Sequence, residues 1–578
     1  MLKSLPTLTC ALLIVAMLPV AATAQTEMLI PWTGTPGEFE STIVADTSAD
    51  GTQAHDVYVL EKGKVYLQIE PIGVNNSFTI RGQAYDATDA SDIPATIQPL
   101  PGPDGVSRYL AVWPGAHFDL YGDDITLTLE NLLFNGAMAD QSNHVWNVVA
   151  ARGTNQRTVI DNTVMSGYQI TLMAFGKDSD FFVNNSIFKA YPSYAGGIFA
   201  NGSLWGGGSW MGTIDTVMVT NSSLMNSWGE SIVIYEQVNH GLVDHNSFVN
   251  IVMRPLFSRG GNNMTFSNNL FYNTKIFGQS SFYFGLWGSI EGGSGVMDIN
   301  AQEAPDTTAI AAGRHWDHLS RNITFNNNAW VNDEQVLALW QAPPWAWEVV
   351  NDSGMTEVRR DTMLAIELQD QFVGDSTRAL MAADPSIREF DNVKTTPTLL
   401  LNQEYLRRII SRIRDFRDNE AHDTFLDEWW QYENDDDPIN VQWPIHEDLR
   451  YSYMSPAATA SETGGPVGDP RWVPFQNVGV EEDDLPSTFS LDQNYPNPFN
   501  PSTDIAFSLE QLSDVRLVIY NVLGQPVIEL VSESLPAGTY KYRWDGRNDT
   551  GFKVASGMYL YTLSTDAGSV SRKMTLIK

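Results

Sequence analysis

Apolar residues recur in pairs along the middle of the chain, and each pair is framed by polar residues that are mostly asparagine. The pattern is Asn-x-φ-φ-Asn, with φ an apolar residue, and it or a close variant starts at Asn131, Asn162, Asn185, Ser222, Asn246, Asn269 and Asn328. The starts lie 31, 23, 37, 24, 23 and 59 residues apart, so the period is about 23 and the longer gaps hold inserted loops. A period of this length predicts a solenoid.

The residue types within one period predict β-strands rather than helices. All fourteen φ positions are apolar, and a β-branched or aromatic residue lies three positions before each start: Thr128, Val159, Phe182, Val219, Val243, Phe266 and Phe325. A single coil of short strands cannot bury its apolar side, so coils must stack and pair equivalent strands in parallel, about 4.8 Å apart. We expect one interior stack formed by Ile187, Leu224, Phe248 and Phe271.

The recurrent asparagines are expected to be structural. In stacked coils they form files at the bends, where their side chains can bond to the backbone and to one another. The repeat resembles that of the right-handed parallel β-helix proteins of the pectate-lyase-like superfamily, over roughly residues 50 to 350. This resemblance implies an all-β fold, a right-handed parallel β-helix solenoid, and we expect a partly helical C-terminal cap on it from the residues that follow. It rests on the repeat and on no catalytic signature, so it implies little about activity.

Changes in composition divide the rest of the chain. Residues 1–24 carry a lysine, an apolar run and the sequence Ala22-Thr23-Ala24, which predict a secretory signal peptide. The β-helix, with less regular first coils, is expected over 25–350 and a C-terminal extension over 351–475. Apolar residues at helical spacing predict an amphipathic helix over 399–419. The run 464–472 resembles the closing segment of some secreted bacterial β-helix proteins, and an acidic linker is expected over 476–488.

The last ninety residues carry the most specific motifs. Leu491-Asp-Gln-Asn-Tyr-Pro-Asn-Pro-Phe499, Val518-Ile-Tyr-Asn-Val-Leu-Gly524 and Lys573-Met-Thr-Leu-Ile-Lys578 stand in a segment of alternating strands broken by Pro and Gly turns. That spacing predicts a small immunoglobulin-like β-sandwich over 489–578. The motifs resemble the C-terminal sorting domain of the type IX secretion system. The resemblance implies partnership with that machinery and a location outside a Gram-negative cell or on its outer-membrane surface; an unrelated binding module is the alternative.

Charge and cysteine content exclude several classes of function. The formal net charge is −35, from 69 acidic and 34 basic residues, which argues against nucleic acid or an anionic membrane as a partner. The single cysteine, Cys10, lies in the predicted leader, so the mature chain has no disulfide. No later stretch is long and apolar enough to be a transmembrane segment, and we expect a monomer.

Two insertions in the repeat are rich in aromatic residues, and solenoid insertions commonly project from a binding face. The first, about 191–214, holds Trp205 and Trp210, and the second, about 277–320, holds Trp287 and Trp316. Aromatic rings stack on the apolar faces of sugars, so these four tryptophans are the expected substrate-binding platform for an extracellular polysaccharide. The alternative is that they cover the edge of the solenoid.

Elimination on an acidic polysaccharide needs a base, a partner for the leaving oxygen and a group that neutralises the uronate carboxylate. Ten residues before the repeat starts lie Arg152, Phe175, Glu236 and Arg259, of which Glu236 and Arg259 belong to adjacent coils and should lie side by side. His240 and Arg254 belong to the same two coils as the last two, so Glu236, His240, Arg254 and Arg259 are the catalytic candidates. A surface salt bridge between Glu236 and Arg259 is the alternative.

Metal binding has one weak candidate, the cluster His315, Asp317 and His318. Calcium is a further candidate cofactor because the chain is acidic, although a solvated acidic surface explains the same composition. The paired aspartates of β-helix hydrolases are not evident, so a polysaccharide lyase is favoured over a glycoside hydrolase. The leading hypothesis is a secreted protein that binds, and can cleave by elimination, an extracellular polysaccharide; a non-catalytic adhesin or surface component is the rival.

Overall fold

A computed structural model describes the chain over the following residues: 25–48, 52–85, 91–109, 115–136, 145–168, 170–189, 198–200, 214–227, 231–234, 238–251, 254–258, 263–274, 295–297, 299, 321–332, 346–350, 356–360, 371–395, 449–472, 490–491, 493–494, 497, 499, 501–509, 513–521, 525–535, 538–549, 552–565 and 568–576. The chain divides into two compact units, Met1–Phe475 and Gln476–Lys578. The predicted leader, the predicted helix over 399–419 and the predicted linker lie outside the described residues.

The first unit is built almost entirely from short strands. In chain order its elements are β1 (Glu27–Ile30), α1 (Glu38–Ala45), β2 (Val57–Leu60), β3 (Val65–Gln68), β4 (Ile72–Val74), β5 (Phe78–Gly82), β6 (Ala95–Pro99), β7 (Ala116–Leu120), β8 (Thr126–Glu130), β9 (Leu132–Asn135), β10 (Asn147–Ala151), β11 (Arg157–Asp161), β12 (Val164–Ser166), β13 (Leu172–Ala174), β14 (Ser179–Asn184), β15 (Ile187–Lys189), β16 (Ile198–Ala200), β17 (Ile214–Thr220), β18 (Ser223–Ser227), β19 (Ile232–Ile234), β20 (Val238–Asp244), β21 (Ser247–Ile251), β22 (Leu256–Ser258), β23 (Asn263–Ser267), β24 (Leu270–Thr274), β25 (Asn322–Asn326), β26 (Ala329–Val331), β27 (Ala346–Val350), β28 (Thr356–Arg360), α2 (Asp375–Ala383), β29 (Ile387–Phe390) and β30 (Val393–Lys394).

All of these strands except β27 and β28, which pair antiparallel with each other, form a parallel β-helix, as the sequence period predicted. The seven coils from β2 to β22 each contribute one strand to each of three parallel sheets, and the later coils contribute described strands to sheets 1 and 2. Sheet 1 has the order β1-β2-β5-β8-β11-β14-β17-β20-β23-β25-β29, sheet 2 the order β3-β6-β9-β12-β15-β18-β21-β24-β26-β30, and sheet 3 the order β4-β7-β10-β13-β16-β19-β22. The coil runs from sheet 1 to sheet 2 to sheet 3, and the buried apolar side chains of all three fill one continuous core.

Seven successive coils turn from sheet 1 into sheet 2 at a residue with left-handed backbone, and the last described coil does so at Asp391. The seven residues are Asn131, Asn162, Asn185, Asn221, His245, Asn268 and Asn327, with φ between 44° and 58°. Asparagine tolerates this conformation better than most residues. In the first three coils this bend residue is the start of the sequence pattern. In the later coils the pattern starts one residue after the bend.

The predicted interior stack is therefore correct for three residues and wrong for Ile187. Leu224, Phe248 and Phe271 are buried in the core, and the last two rings stack with centroids 4.8 Å apart. Ile187 instead pairs with Ser223 and belongs to an apolar cluster on the outer side of sheet 2. Phe188 pairs with Leu224 and takes the interior position. A shift of one residue moves a side chain to the other face of a strand.

The residues that follow the bends form a buried hydrogen-bonded file, which we call the asparagine ladder: Thr163, Ser186, Ser222, Asn246, Asn269, Asn328 and Asn392. Each side chain after Thr163 accepts a hydrogen bond from the backbone N–H of the preceding member, as in Asn246 N to Asn269 Oδ1 at 2.9 Å and Asn269 N to Asn328 Oδ1 at 3.0 Å. The serine hydroxyls continue the file, since Ser186 N donates to Ser222 Oγ at 3.0 Å. The ladder satisfies backbone groups that the bends would otherwise bury without partners.

Helices lie near both ends of the core. At the N-terminal end Phe39 and Ile43 of α1 are buried among the first coils, and the Glu40 carboxylate accepts from Ile69 N at 2.7 Å. Near the other end Leu380 and Met381 of α2 pack against the core. The coils continue past residue 350, because β29 and β30 extend sheets 1 and 2 beyond a long insertion.

The second unit is a two-sheet antiparallel sandwich of β31 (Ser490–Leu491), β32 (Thr503–Leu509), β33 (Ser513–Asn521), β34 (Pro526–Leu535), β35 (Gly538–Trp544), β36 (Gly557–Thr565) and β37 (Gly568–Leu576). One sheet has the order β31-β32-β35 and the other β34-β33-β36-β37. Trp544 is fully buried between the sheets, 5.5 Å from the Phe499 ring and 5.1 Å from the Tyr559 ring. The predicted immunoglobulin-like sandwich is thus confirmed as a fold.

Candidate functional site

The outer side of sheet 2 is covered by the chain itself. Residues 449–472, which we call the strap, lie along it. Leu449 and Trp472 of the strap pack on the outward apolar residues Leu133, Val164, Ile187, Met225, Val249, Tyr272 and Val331. Sheet 2 is therefore an internal interface over these coils and is not open to a ligand.

Polar contacts fasten the strap at defined coils. Ser223 Oγ donates to Asp469 Oδ2 at 2.6 Å and accepts from Trp472 Nε1 at 2.8 Å. Arg471 Nη2 donates to Asn185 Oδ1 at 2.9 Å and to the carbonyl of the same residue. Burial raises the pKa of Asp469, and the nearby Arg471 opposes that rise. Residues 464–472 resemble in sequence the segment that closes some secreted bacterial β-helix proteins, and in this structure they lie at the end of the strap.

A cluster with the chemistry of a binding site lies where the strands of sheet 3 end. Leu120, Ala151 and Ala174 pair in register at the ends of β7, β10 and β13. The next residue of each strand is Tyr121, Arg152 or Phe175, and we call these three the corner column. Backbone N–H groups keep them in line, since Arg152 N donates to Leu120 O at 2.9 Å and Phe175 N donates to Ala151 O at 2.7 Å.

The Arg152 guanidinium lies between the two rings of the corner column. Its Cζ is 5.8 Å from the Tyr121 ring centroid and 5.1 Å from that of Phe175, within the range of cation–π attraction. Tyr121 is 50% exposed, so one ring of the column faces solvent. The column combines a planar cation with apolar ring surfaces, which suits a sugar ring that carries oxygen acceptors.

A buried carboxylate orients this arginine. Asp119 Oδ1 accepts from Arg152 Nε at 2.7 Å, and the side chain of Asp119 is 4% exposed whereas that of Arg152 is 19% exposed. Burial raises the pKa of Asp119, and the Arg152 charge and hydrogen bond oppose that rise. The pair fixes the guanidinium plane, and it also leaves less of the Arg152 charge available to an anionic ligand.

Close backbone contacts allow only glycine at the positions that directly follow Arg152 and Phe175. A Cβ atom on Gly176 would lie 1.6 Å from the Gly153 carbonyl oxygen, and one on Gly153 would lie 2.6 Å from that of Gly122. No side chain fits at either place. The glycines let the turns from sheet 3 back to sheet 1 stack closely and hold the column at a sharp corner.

Of the four residues at this spacing, Arg152 and Phe175 lie within the described part of the chain, and they are neighbours on adjacent coils. Glu236 and Arg259 lie outside the described residues. The strands that precede them pair Ile234 with Ser258, a separation of 24 residues, whereas the predicted alignment of Glu236 with Arg259 uses 23. Tyr121 was missed, although the same spacing finds it ten residues before the first repeat start at Asn131.

The two described catalytic candidates, His240 and Arg254, lie on different parts of the coil. His240 is exposed on the outer side of sheet 1, where it pairs with Thr216. Arg254 is buried in the bend between β21 and β22, and its carbonyl accepts from Ser231 N at 3.1 Å. The structure therefore does not place the His240 and Arg254 side chains on the same face of the solenoid.

The remaining candidates lie outside the described residues: Trp205, Trp210, Trp287, Trp316, His315, Asp317 and His318. Within the described ranges, no group of three His, Cys, Asp or Glu side chains is arranged to hold a metal ion. In the same part of the chain, no helix has the length and apolar character needed to cross a bilayer.

Comparison with known proteins identifies one family and several distant structures. Residues 497–569 match the FlgD Ig-like domain family. No curated protein sequence matches the chain. Among solved structures, PorZ, described as a surface component of the type-IX secretion system of Porphyromonas gingivalis, is 20% identical with a TM-score of 0.13, over 17% of this chain and 13% of its own.

Two further structures match the chain over a longer stretch. The PL6 family alginate lyase AlyGC is 12% identical with a TM-score of 0.28, over 54% of this chain and 37% of its own. DFA-IIIase from Arthrobacter chlorophenolicus A6 is 11% identical with a TM-score of 0.30, over 54% of this chain and 90% of its own. This chain thus spans well under two thirds of PorZ and of the alginate lyase, and scores this low carry no argument about activity.

Proposed function

We propose that this protein binds an extracellular polysaccharide at the corner column, and that β-elimination is the reaction to test first. The observation that carries the proposal is the Arg152 guanidinium held between the Tyr121 and Phe175 rings on a side of the solenoid that the strap leaves uncovered. Burying one large aromatic ring against a ligand contributes about 1.5–3 kcal/mol, so the half-exposed Tyr121 ring alone is a useful contact.

In the elimination step a base removes the proton beside the uronate carboxylate, a carbon–carbon double bond forms as the bond to the glycosidic oxygen breaks, and that oxygen takes up a proton. A cation stabilises the negative charge that develops on the carboxylate. Arg259 is the proposed cation, because it directly follows a sheet 3 strand as Arg152 and Phe175 do, and Glu236, two residues after the preceding strand of that sheet, is the proposed base. The four tryptophans of the insertions would extend the platform. No step is assigned to His240 or Arg254, since they lie elsewhere on the coil.

A non-catalytic adhesin is the second candidate, and one observation favours it. Asp119 already neutralises Arg152 at 2.7 Å, so the described part of the column offers hydrogen bonds and ring surface rather than a free positive charge. Such a site suits retention of a glycan more than activation of its carboxylate.

Two measurements separate these candidates. Incubation with alginate, polygalacturonate and chondroitin, with and without a calcium chelator, is followed by the ultraviolet absorbance of unsaturated products, which only a lyase generates. Affinity electrophoresis on the same glycans then compares Tyr121→Ala with Tyr453→Ala, a matched control that is 55% exposed on the strap. Weaker retention in Tyr121→Ala alone, at an unchanged melting temperature, supports the site; equal retention in both variants places the glycan elsewhere.

We further propose export by the type IX secretion system, on the motifs between Leu491 and Lys578. Deletion of residues 489–578 should leave the protein in the periplasm, and the mature surface form should lack them. Mass spectrometry of the culture supernatant and cell surface tests both points. Efficient export of the deleted chain contradicts the proposal.

A further inference from the structure

The outer side of sheet 1 carries a row of apolar residues in four consecutive coils. Val159 pairs with Phe182, Phe182 with Met218 and Met218 with Leu242. All four side chains are half-buried on the outer side, while the residues that follow them along each strand, Ile160, Val183, Val219 and Val243, belong to the core. At about 4.8 Å per strand, the row is about 14 Å long. We call it the sheet 1 row.

Polar side chains border the sheet 1 row on both sides. One margin consists of Arg157, Asp180, Thr216 and His240, and the other of Asp161, Asn184, Thr220 and Asp244. Hydrogen bonds between coils hold the second margin in place, since Asn184 Nδ2 donates to Asp161 Oδ1 at 2.7 Å and Thr220 Oγ1 donates to Asn184 Oδ1 at 3.0 Å. The result is a flat surface with an apolar centre and preorganised hydrogen-bonding edges.

The outward apolar residues of sheet 2 are covered by the strap, whereas those of the sheet 1 row are not. The strap buries those of sheet 2 beneath Leu449 and Trp472. Its described polar contacts fall on sheet 2 and the neighbouring bends, at Asn185, Ser223 and Asn268. The sheet 1 row keeps its partial exposure instead, with polar groups arranged along it.

Charge selects the class of partner. Around the row stand the carboxylates Asp161, Asp180, Asp215 and Asp244, and Arg157 is the one arginine of these margins. Like charges repel, so a polyanionic glycan is disfavoured here. Sugar rings without carboxylates have apolar faces for the centre and hydroxyl groups for the edges. We propose that the sheet 1 row binds a neutral polysaccharide whose chain lies along the solenoid axis, as a second surface distinct from the corner column.

Arg157 gives this proposal an internal check. Its guanidinium lies 5.2 Å from the Phe182 ring centroid and its Nη2 is 3.2 Å from Asp180 Oδ2. The arginine therefore occupies part of the ring surface that a sugar would use. Because its side chain is 53% exposed, Arg157→Ala removes little packing and uncovers the Phe182 ring. This substitution should strengthen binding, whereas an unused surface would show no gain.

The test is affinity electrophoresis of the full chain in gels containing hydroxyethyl cellulose, a soluble neutral β-glucan, or alginate. We expect retention by the neutral glucan, an affinity about tenfold lower in Met218→Ser/Leu242→Ser, and higher affinity in Arg157→Ala. Tyr453→Ala, a residue 55% exposed on the strap, is the matched control and should leave retention by the neutral glucan unchanged. Tyr121→Ala reports separately on retention by alginate at the corner column, so a failure there is distinguished from a failure at the row.

Hydrogen exchange of the unmodified protein gives a readout that does not depend on how the variants fold. Hydroxyethyl cellulose should slow exchange in peptides covering β17 and β20, and alginate should not. Unchanged retention in the double variant would overturn the proposal, and so would stronger protection by alginate than by hydroxyethyl cellulose. A third contrary result is an unmodified protein that sediments as a dimer while the double variant sediments as a monomer, which would assign the row to a second copy of this chain.

Discussion

Replacing Asn269 with alanine should destabilise the first unit by about 4 kcal/mol. The side chain makes four buried hydrogen bonds in the asparagine ladder. Its Oδ1 accepts from Asn246 N at 2.9 Å and from Asn246 Nδ2 at 3.1 Å, and its Nδ2 donates to Val243 O at 2.8 Å and to Asn328 Oδ1 at 2.9 Å. A buried hydrogen bond contributes about 1 kcal/mol net, and an orphaned buried group costs about 1–3 kcal/mol.

A conservative variant separates hydrogen bonding from packing. Ser222 occupies the equivalent position two coils earlier and accepts from Ser186 N through its hydroxyl at 3.0 Å. Asn269→Ser should therefore keep the acceptor for Asn246 N and lose about half as much stability as Asn269→Ala. Asn263→Ala, an exposed change one strand before, should stay within about 0.5 kcal/mol of the parent.

Urea unfolding measures these differences, and hydrogen exchange at the Asn246 amide reports the local effect. A loss below about 1 kcal/mol for Asn269→Ala, or equal losses in the serine and alanine variants, would show that water or relaxed backbone replaces the ladder. Removal of a ladder side chain would then leave no buried backbone group without a partner.

Three further predictions follow from the core and the strap. Phe248→Asp should prevent folding of the neighbouring coils, because it buries an unpaired charge against the Phe271 ring; loss of the cooperative melting transition measures this. Burial lowers the pKa of His117 from 6.5 to about 3, so the unfolded chain takes up a proton that the folded chain does not. Stability should fall by up to about 5 kcal/mol as pH drops through that window, and the urea midpoint of His117→Gln should depend less on pH. Trp472→Ala should loosen the strap and speed hydrogen exchange at the Ser223 coil without unfolding the core.

The sequence repeat was sufficient to predict the β-helix. The wrong prediction for Ile187 shows that the repeat did not determine which residues face the interior of every coil. Asparagine is favoured at the bend because it tolerates left-handed backbone, and one residue later because its amide can serve buried backbone groups. The two preferences place asparagine at adjacent positions, so the early coils align on Asn185 and the later ones on Asn246. The pairing of Ile187 with Ser223 shows that the bend residues and the asparagine ladder are two separate files, offset by one residue.

The candidate site was less predictable for a different reason. Spacing found Arg152 and Phe175, because the coil period carries them to the same corner. Asp119 could not be found that way, since it lies within a buried strand and its role depends on the orientation of the Arg152 side chain. His240 and Arg254 illustrate the converse, because membership of one coil does not say which of its faces a residue occupies.

The strap changes how the solenoid should come apart. A repeat protein whose coils touch only their neighbours can fray one coil at a time from its end. Here the strap begins beside the last described coil, at Thr395 and Ser455, and ends beside Asn185 and Ser223, several coils back. Peeling the terminal coil therefore requires contacts at distant coils to break as well. A pull on the chain beyond Trp472 would reach these anchors before it reached the terminal coil, so the first unit should resist mechanical unravelling as one cooperative block.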